Sequence, residues 1–216
     1  MLLAFDTATP QVTAALLDEG TVVAELASER AMKHGEQLAP LIEAVMGQAG
    51  IVRQDLTAVA VGAGPGPFTG LRVGLVTART LGFVLDLPVY AVCSLDALAV
   101  EASARGLVDA PFVVATDARR KEVYLASYDG DGRRLEGPAV ARPADVATSA
   151  PVVGEGAVLY PDAFPNAVGP TRPSAGWLGR AVVEELVEIV DPEPLYLRRP
   201  DAVEQAARSS QGPASR

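Results

Sequence analysis

Apolar residues in this chain fall into short unbroken runs closed by polar ones, with helically spaced sets between them. The first run, "LLAFDTA", ends in Asp6, Thr7 and Ala8 and reads as a strand. "QVTAALLDEGTVVAELASER" then sets two β-favouring segments about "DEG", a hairpin signal. In "HGEQLAPLIEAVMGQAG", Leu38, Leu41, Ile42, Val45 and Met46 recur at helical spacing on one face, and Gly47 and Gly50 suit its end. Pro40 sits near the first turn of that helix, where a missing N–H matters little. "DLTAVAVGAGPG" reads as a buried strand entering a loop, and the run from Thr69 to Leu85 as a helix. "LPVYAV" is a further strand, and "SLDALAVEASARG" a helix with Ser94 as N-cap. The alternation from Asp55 onward predicts βαβ connections and parallel pairing.

A second unit begins near Ala110. "PFVVATDARRKEVYLASYDGDGRRLEGP" again gives a strand ending in Asp, then a hairpin about "DGDG", so Asp6 and Asp117 occupy matching places. Two halves of this plan predict an α/β protein with the duplicated ribonuclease-H-like fold of actin-like ATPases and sugar kinases. In that fold each half donates an Asp-bearing turn and nucleotide sits between the halves. The expected division is residues 1–105, residues 106–200 and a disordered tail over 201–216 that lacks large apolar residues. A late helix over 174–190 can pack back on the first half, and "DPEPLYLRRPDA" reads as extended.

Composition adds constraints. The chain has 216 residues, 49% hydrophobic, which is ample for a core. Its net charge of -9 argues against broad nucleic-acid binding through Lys and Arg, and "ARRK" at 118–121 reads as a solvated turn. Mean hydropathy is +0.22, yet Asp86, Pro88 and Asp96 break the most apolar region, so no membrane span is expected there. With Cys93 as the single cysteine and no basic, signal-like start, the expected location is the cytoplasm.

"VGAGPGPFTGLRVGLVTARTLG", residues 61–82, looks like a phosphate cradle. A P-loop needs Lys-Ser or Lys-Thr after its last Gly, whereas Gly70 is followed by Leu71 and Arg72. Gly64, Gly66 and Gly70 also miss the dinucleotide spacing, and Pro65 and Pro67 each remove an N–H donor. The following helix gives a better reading. Gly70, Gly74, Ala78 and Gly82 form a ridge of small residues that lets another backbone come close. Leu75 and its apolar neighbours occupy the other faces, and only Arg72 and Arg79 make a polar stripe. A helix apolar nearly all round is buried on more than one side. We therefore expect a docking element for a partner, with the helix of Leu38, Leu41, Ile42 and Val45 beside it, and with weaker self-pairing across the same surface.

Together, "GPGPFTGLRVGLVTARTLG", "LLAFDTAT", "HGEQLAPLI" and "DARRKEVY" resemble the TsaB (YeaZ) family, dimerisation subunits of the bacterial tRNA threonylcarbamoyladenosine machinery. The likeness covers roughly residues 1 to 130 and is weaker up to "PLYLRR"; Pro67 and Lys121 depart from the usual Ser and Gly. The resemblance implies a non-catalytic scaffold that binds and activates the larger catalytic paralogue TsaD, with the ATPase TsaE joining the complex. TsaD transfers a threonylcarbamoyl group to N6 of the adenosine beside the tRNA anticodon. The implied cofactor position is ATP or ADP at the partner interface, none being the chain's own. Homodimers are implied for the chain alone, and tRNA contact only through the complex. TsaD holds its metal with a His-x-x-x-His, and Ser94 and Leu98 stand at that place in "CSLDAL". Neither suits such a metal, so no catalytic or metal residue is expected here.

The remaining candidates have plainer readings. His34, the single histidine, sits at a helix start where capping or surface duty is expected; Glu36 and Glu43 read as solvated and Cys93 as a small core residue. Asp6, Thr7, Asp117 and Arg119 are candidates for a vestigial nucleotide cleft, with turn capping the equal alternative for the two Asp residues. A stand-alone actin-like ATPase or small-molecule kinase is the second functional reading, and Asp6 with Asp117 is its only matched acidic pair. A peptidase lacks a nucleophile–base pair.

Overall fold

The structure is a computed structural model that describes residues 1–28 and 34–198, so the tail expected over 201–216 lies outside the described residues. Strands β1 (Leu2–Asp6), β2 (Thr13–Asp18), β3 (Thr21–Ala27), β4 (Ala58–Gly64) and β5 (Val89–Cys93) form one sheet in the order β3-β2-β1-β4-β5. The first three run antiparallel in succession, and β4 and β5 run parallel to β1. A second sheet holds β6 (Phe112–Asp117), β7 (Val123–Tyr128), β8 (Arg134–Ala141), β9 (Val152–Val153) and β10 (Ala167–Val168). Read from β8, its order is β8-β7-β6-β9-β10 with the same directions. The duplicated ribonuclease-H-like plan is thus present strand for strand, and Asp6 and Asp117 each close the first strand of a half.

The helices are α1 (His34–Ala49), α2 (Phe68–Leu85), α3 (Ser94–Ala104), α4 (Glu155–Leu159) and α5 (Ala175–Val183). The second half is abbreviated: a 3-10 turn, Pro143–Val146, stands where the first half has α1, and five-residue α4 stands where it has eighteen-residue α2. Central strand β1 explains its own unbroken apolar run, because both of its faces are covered. Leu3 and Phe5 pack with Leu38, Val45, Leu71 and Leu75 beneath α1 and α2. Leu2 and Ala4 point the other way, to Ala175 and Leu178 of α5. Each fully buried large side chain contributes about 1.5–3 kcal/mol to folding.

The last helices of the two halves are exchanged. α5, from the second half, lies on the first sheet, while Leu95, Leu98 and Ala102 of α3, from the first half, pack on Phe112, Val114 and Tyr128 of the second. α3 and α5 also pack on each other. Glu25 on β3 fixes α5 by accepting hydrogen bonds from Ser174 Oγ at 2.7 Å and Gly176 N at 3.1 Å. α5 ends at Val183, short of the expected 190. Glu185 turns left-handed (φ 54°), and Val190 N then donates to Ala91 O on edge strand β5. A single bridge to β5 therefore takes Val190, the last apolar residue that the helical spacing had claimed.

Candidate functional site

The loop after β1 is held from several sides. The Asp6 carboxylate is 1% exposed; Oδ1 accepts from Ala8 N at 2.7 Å and Oδ2 from Ser94 Oγ at 2.5 Å. Ser94 is thus the first residue of α3 and a partner of Asp6, while Cys93 takes the N-cap position. Thr7 Oγ1 donates to Gly70 O at 2.8 Å. His34 is buried, and its Nε2 donates to Thr9 O at 2.7 Å, because a carbonyl can only accept. These placements correct the sequence reading of His34, which anchors a loop from inside. Asp6 closes its own turn, the alternative reading given for it, and is sealed against Ser94 of α3, while Thr7 is sealed under α2. They do not face a cleft shared with Asp117 and Arg119.

Burial raises the Asp6 pKa above the ordinary carboxylate value, opposed by the Ser94 and Ala8 hydrogen bonds and by His34. A carboxyl whose folded pKa lies above its unfolded value stabilises the fold below the unfolded value. That contribution is lost as pH rises through the folded pKa. Urea unfolding of the parent and of Asp6→Asn between about pH 4 and pH 8 is therefore expected to show the parent losing ground to the variant as pH rises. A difference that stays flat or reverses sign would contradict this account of Asp6.

The position that the resemblance equates with a histidine pair does not fit a metal. Leu98 is fully buried and has no donor atom, and the Ser94 hydroxyl is committed to Asp6. Cys93, beside it, is a buried thiol whose pKa is pushed up to about 12, first by burial and then by Asp96. It is no nucleophile.

α2 has two different faces. The ridge of Gly70, Gly74, Ala78 and Gly82 is buried against the chain itself, as are Leu71 and Leu75. A Cβ on Gly70 would stand 2.4 Å from Thr7 O, and one on Gly74 2.4 Å from Thr7 Oγ1. Leu38, Ile42 and Val45 of α1 join the same core, and Leu41 is half-buried. Among the residues expected to dock, only Arg72 and Arg79 are exposed. The small ridge was a true signal of close approach, met by the chain itself: Thr7 of the β1–β2 loop at Gly70 and Gly74, and Leu87 and Val89 at Gly82. On the outward side Val76, Phe83 and Val84 are 60%, 89% and 69% exposed, with Thr80 and the two arginines between them. By length and composition α2 could cross a bilayer. Its packing on β4 shows one face already committed to protein.

Asp117 and Arg119 do come together, at the turn between β6 and β7. Asp117 Oδ1 accepts from Arg119 N at 2.9 Å and Oδ2 lies 3.5 Å from Arg119 NH1. Arg119, Arg120 and Lys121 all have left-handed backbones, φ 60°, 54° and 60°, at about 1–2 kcal/mol each. This turn faces the N-terminus of α2 across a cavity of about 270 Å³ that Arg198 and Tyr196 also line. Arg198 pairs with Glu122 and donates to Ala118 O at 2.9 Å. Tyr196 stacks on Phe68 with centroids 5.1 Å apart, and the Arg72 guanidinium lies over Phe68 at 4.1 Å. Sequence spacing could not find this cluster, since its parts lie roughly 50 to 130 positions apart.

Comparison with known proteins agrees with this architecture. The family model described as TsaD, tRNA N6-adenosine threonylcarbamoyltransferase, matches residues 11–164. An uncharacterized protein of Mycobacterium tuberculosis is 44% identical over 206 residues, 93% of each chain. The tRNA threonylcarbamoyladenosine biosynthesis protein TsaB of Bacillus subtilis is 37% identical over 138 residues, 62% of this chain and 58% of that relative. The structure of YeaZ from Pseudomonas aeruginosa superposes with a TM-score of 0.74 at 31% identity, over 91% of this chain and 99% of that one.

Proposed function

The chain belongs to the TsaB (YeaZ) family and so to tRNA threonylcarbamoyladenosine biosynthesis, and from this premise we propose that it is the non-catalytic subunit that binds and activates TsaD. The carrying observation is the outward face of α2, where Val76, Phe83 and Val84 stand open beside Arg72 and Arg79. The neighbouring face of α1 exposes small residues, Ala39, Ala44 and Gly47, and the carboxylates Glu36 and Glu43. A partner presenting the same pair of helices about a two-fold axis brings α1 against α2, acidic side against basic. TsaD, built on the same fold, supplies such helices, and a second copy of this chain does so when TsaD is absent. Two helices per partner can supply the roughly 800 Å² per side of a standard interface.

The catalytic step belongs to TsaD in this reading. Here the Asp6 carboxylate is sealed, the Cys93 thiol is inert and the His34 Nε2 proton is held by a carbonyl. Stand-alone kinase chemistry, the second reading, loses its matched acidic pair in the same way. With a net charge of -9, the chain meets tRNA through the complex, in the cytoplasm; TsaE joins that complex, and ATP or ADP sits at the partner interface. The test is threonylcarbamoyl transfer to tRNA by TsaD and TsaE with and without this chain. Omission is expected to lower the rate at least about tenfold, and the chain alone to give no turnover. ATP turnover by the chain alone that disappears on joint Asp6→Asn and Asp117→Asn substitution would instead establish the kinase.

A further inference from the structure

After α5 the chain runs from 186 to 198 with no helix and no strand beyond the bridge of Val190 to Ala91. None of these residues is buried, yet Ala63, Ala91 and Cys93 beneath them are fully buried. Val190 N donates to Ala91 O and Leu195 N to Ala63 O, both at 2.9 Å. Gly64, next to Ala63, pairs with Cys93 across β4 and β5. Leu195 thus lies over the ends of those strands, and it packs on the cores of both halves. Pro192 and Pro194 lack the N–H that further pairing along β5 would need. The other anchors are side chains. Glu188 accepts from Arg134 of β8 at 3.2 Å, Tyr196 stacks on Phe68 of α2, and Arg198 reaches Ala118 O and Glu122 in the second half. The run starts at the left-handed Glu185 and ends as one wall of the cavity between the halves, where Tyr196, Leu197 and Arg198 line it.

We infer that residues 186–198 are a strap that lifts from the body as one piece, about the turn at Glu185, and so gates the cleft while the two halves stay joined. Segments that open first are those with few buried apolar residues and few hydrogen bonds to the rest of the fold. This run fits that description along its whole length, whereas the helices it follows do not. Leu95 and Leu98 of α3 and Leu178 of α5 are fully buried, so the halves remain held when the strap is up. Lifting removes Leu195 from Ala63 and Cys93 and takes Tyr196, Leu197 and Arg198 out of the cavity wall. The far end frees most readily, because a ring stack and an ion pair at the surface hold it rather than packed apolar side chains. The inference stands on these anchors and does not depend on the role proposed for the outward face of α2.

Cys93, the single cysteine, reports the movement. With the strap down its thiol is buried and its pKa is pushed up to about 12, so almost no thiolate forms and alkylation waits for opening. Iodoacetamide labelling of the full chain at about pH 8, followed by mass, is the measurement. Lifting exposes little surface, so the parent's rate is expected to change less than about threefold as urea rises to just below the unfolding transition. Joint substitution Tyr196→Ala and Arg198→Gln frees the far end of the strap. It is expected to speed labelling at least about tenfold, with a melting temperature within about 3 °C of the parent. Native-state hydrogen exchange is expected to show the amides of Val190 and Leu195 opening together, well before those of β1. Labelling of the parent that follows the full urea slope of global unfolding overturns the inference, as does a folded double variant that labels at the parent's rate.

Discussion

Joint substitution Val76→Glu and Phe83→Glu is expected to abolish measurable association with TsaD and self-association, while the melting temperature stays within about 2 °C of the parent. Neither side chain has much to lose at home, since Phe83 is 89% exposed and Val76 60% exposed. In a complex both would be central. An aromatic anchor at the middle of a desolvated contact commonly carries 2 kcal/mol or more, and a carboxylate in its place must be buried without a partner. A fall in affinity of at least about 100-fold follows. Arg72→Glu with Arg79→Glu edits the polar part of the same stripe and is expected to act in the same direction with a steeper dependence on salt. Binding by sedimentation velocity and by calorimetry decides the matter. Folded variants that associate like the parent would move the docking surface elsewhere.

Gly62→Ala is expected to be the most damaging single methyl that can be added to this chain. Gly62 lies in the middle of β4 with an ordinary strand backbone, so alanine has no conformational objection to the place. The objection is spatial: a Cβ there would sit 1.8 Å from Asp6 Oδ2 and 2.6 Å from Ser94 Oγ. Relief requires moving the carboxylate from its hydrogen bonds into a packed apolar interior. A buried carboxyl group stripped of both of its hydrogen bonds costs about 3 kcal/mol or more. For a chain of this length, each kcal/mol lowers the melting temperature by about 2–4 °C, so a fall of roughly 6 °C or more is expected. The matched control is Gly47→Ala on the exposed side of α1, where nothing lies within 4 Å of the new methyl. Helix propensity alone should leave that variant as stable as the parent or up to about 1 kcal/mol more so. Calorimetric melts of the pair test the claim, which fails if Gly62→Ala melts with the control.

The first half was legible because its strands and α-helices are long enough to show a period. β1 reads as a run of apolar residues since both faces are covered, and α1 and α2 show the spacing of a buried stripe. The duplication was legible from Asp6 and Asp117 with their hairpins. What escaped were elements too short for any period: β9 and β10 have two residues each and α4 five. Also hidden were choices settled at long range. The spacing of Gly70, Gly74, Ala78 and Gly82 announces a close neighbour but cannot say whether it is the chain's own Thr7 or another molecule. The same limit applies to His34, whose loop partner lies 25 residues earlier, and to Glu25, whose partner Ser174 lies 149 residues later. Periodicity tells which face of a helix is apolar, and only the fold tells which apolar face is left over.

The exchange of α3 and α5 has a consequence for how the molecule can move. Each half carries the cover of the other half's sheet, and those two covers lie side by side at the centre. Swinging the halves apart, as a jaw opens, would peel α5 from β1 and strip α3 from Phe112 and Tyr128. The chain is therefore a clasp that is already shut. In the role proposed above, it would meet its partner as one stiff template, acting through the surfaces that it occupies and not through an opening of its two halves.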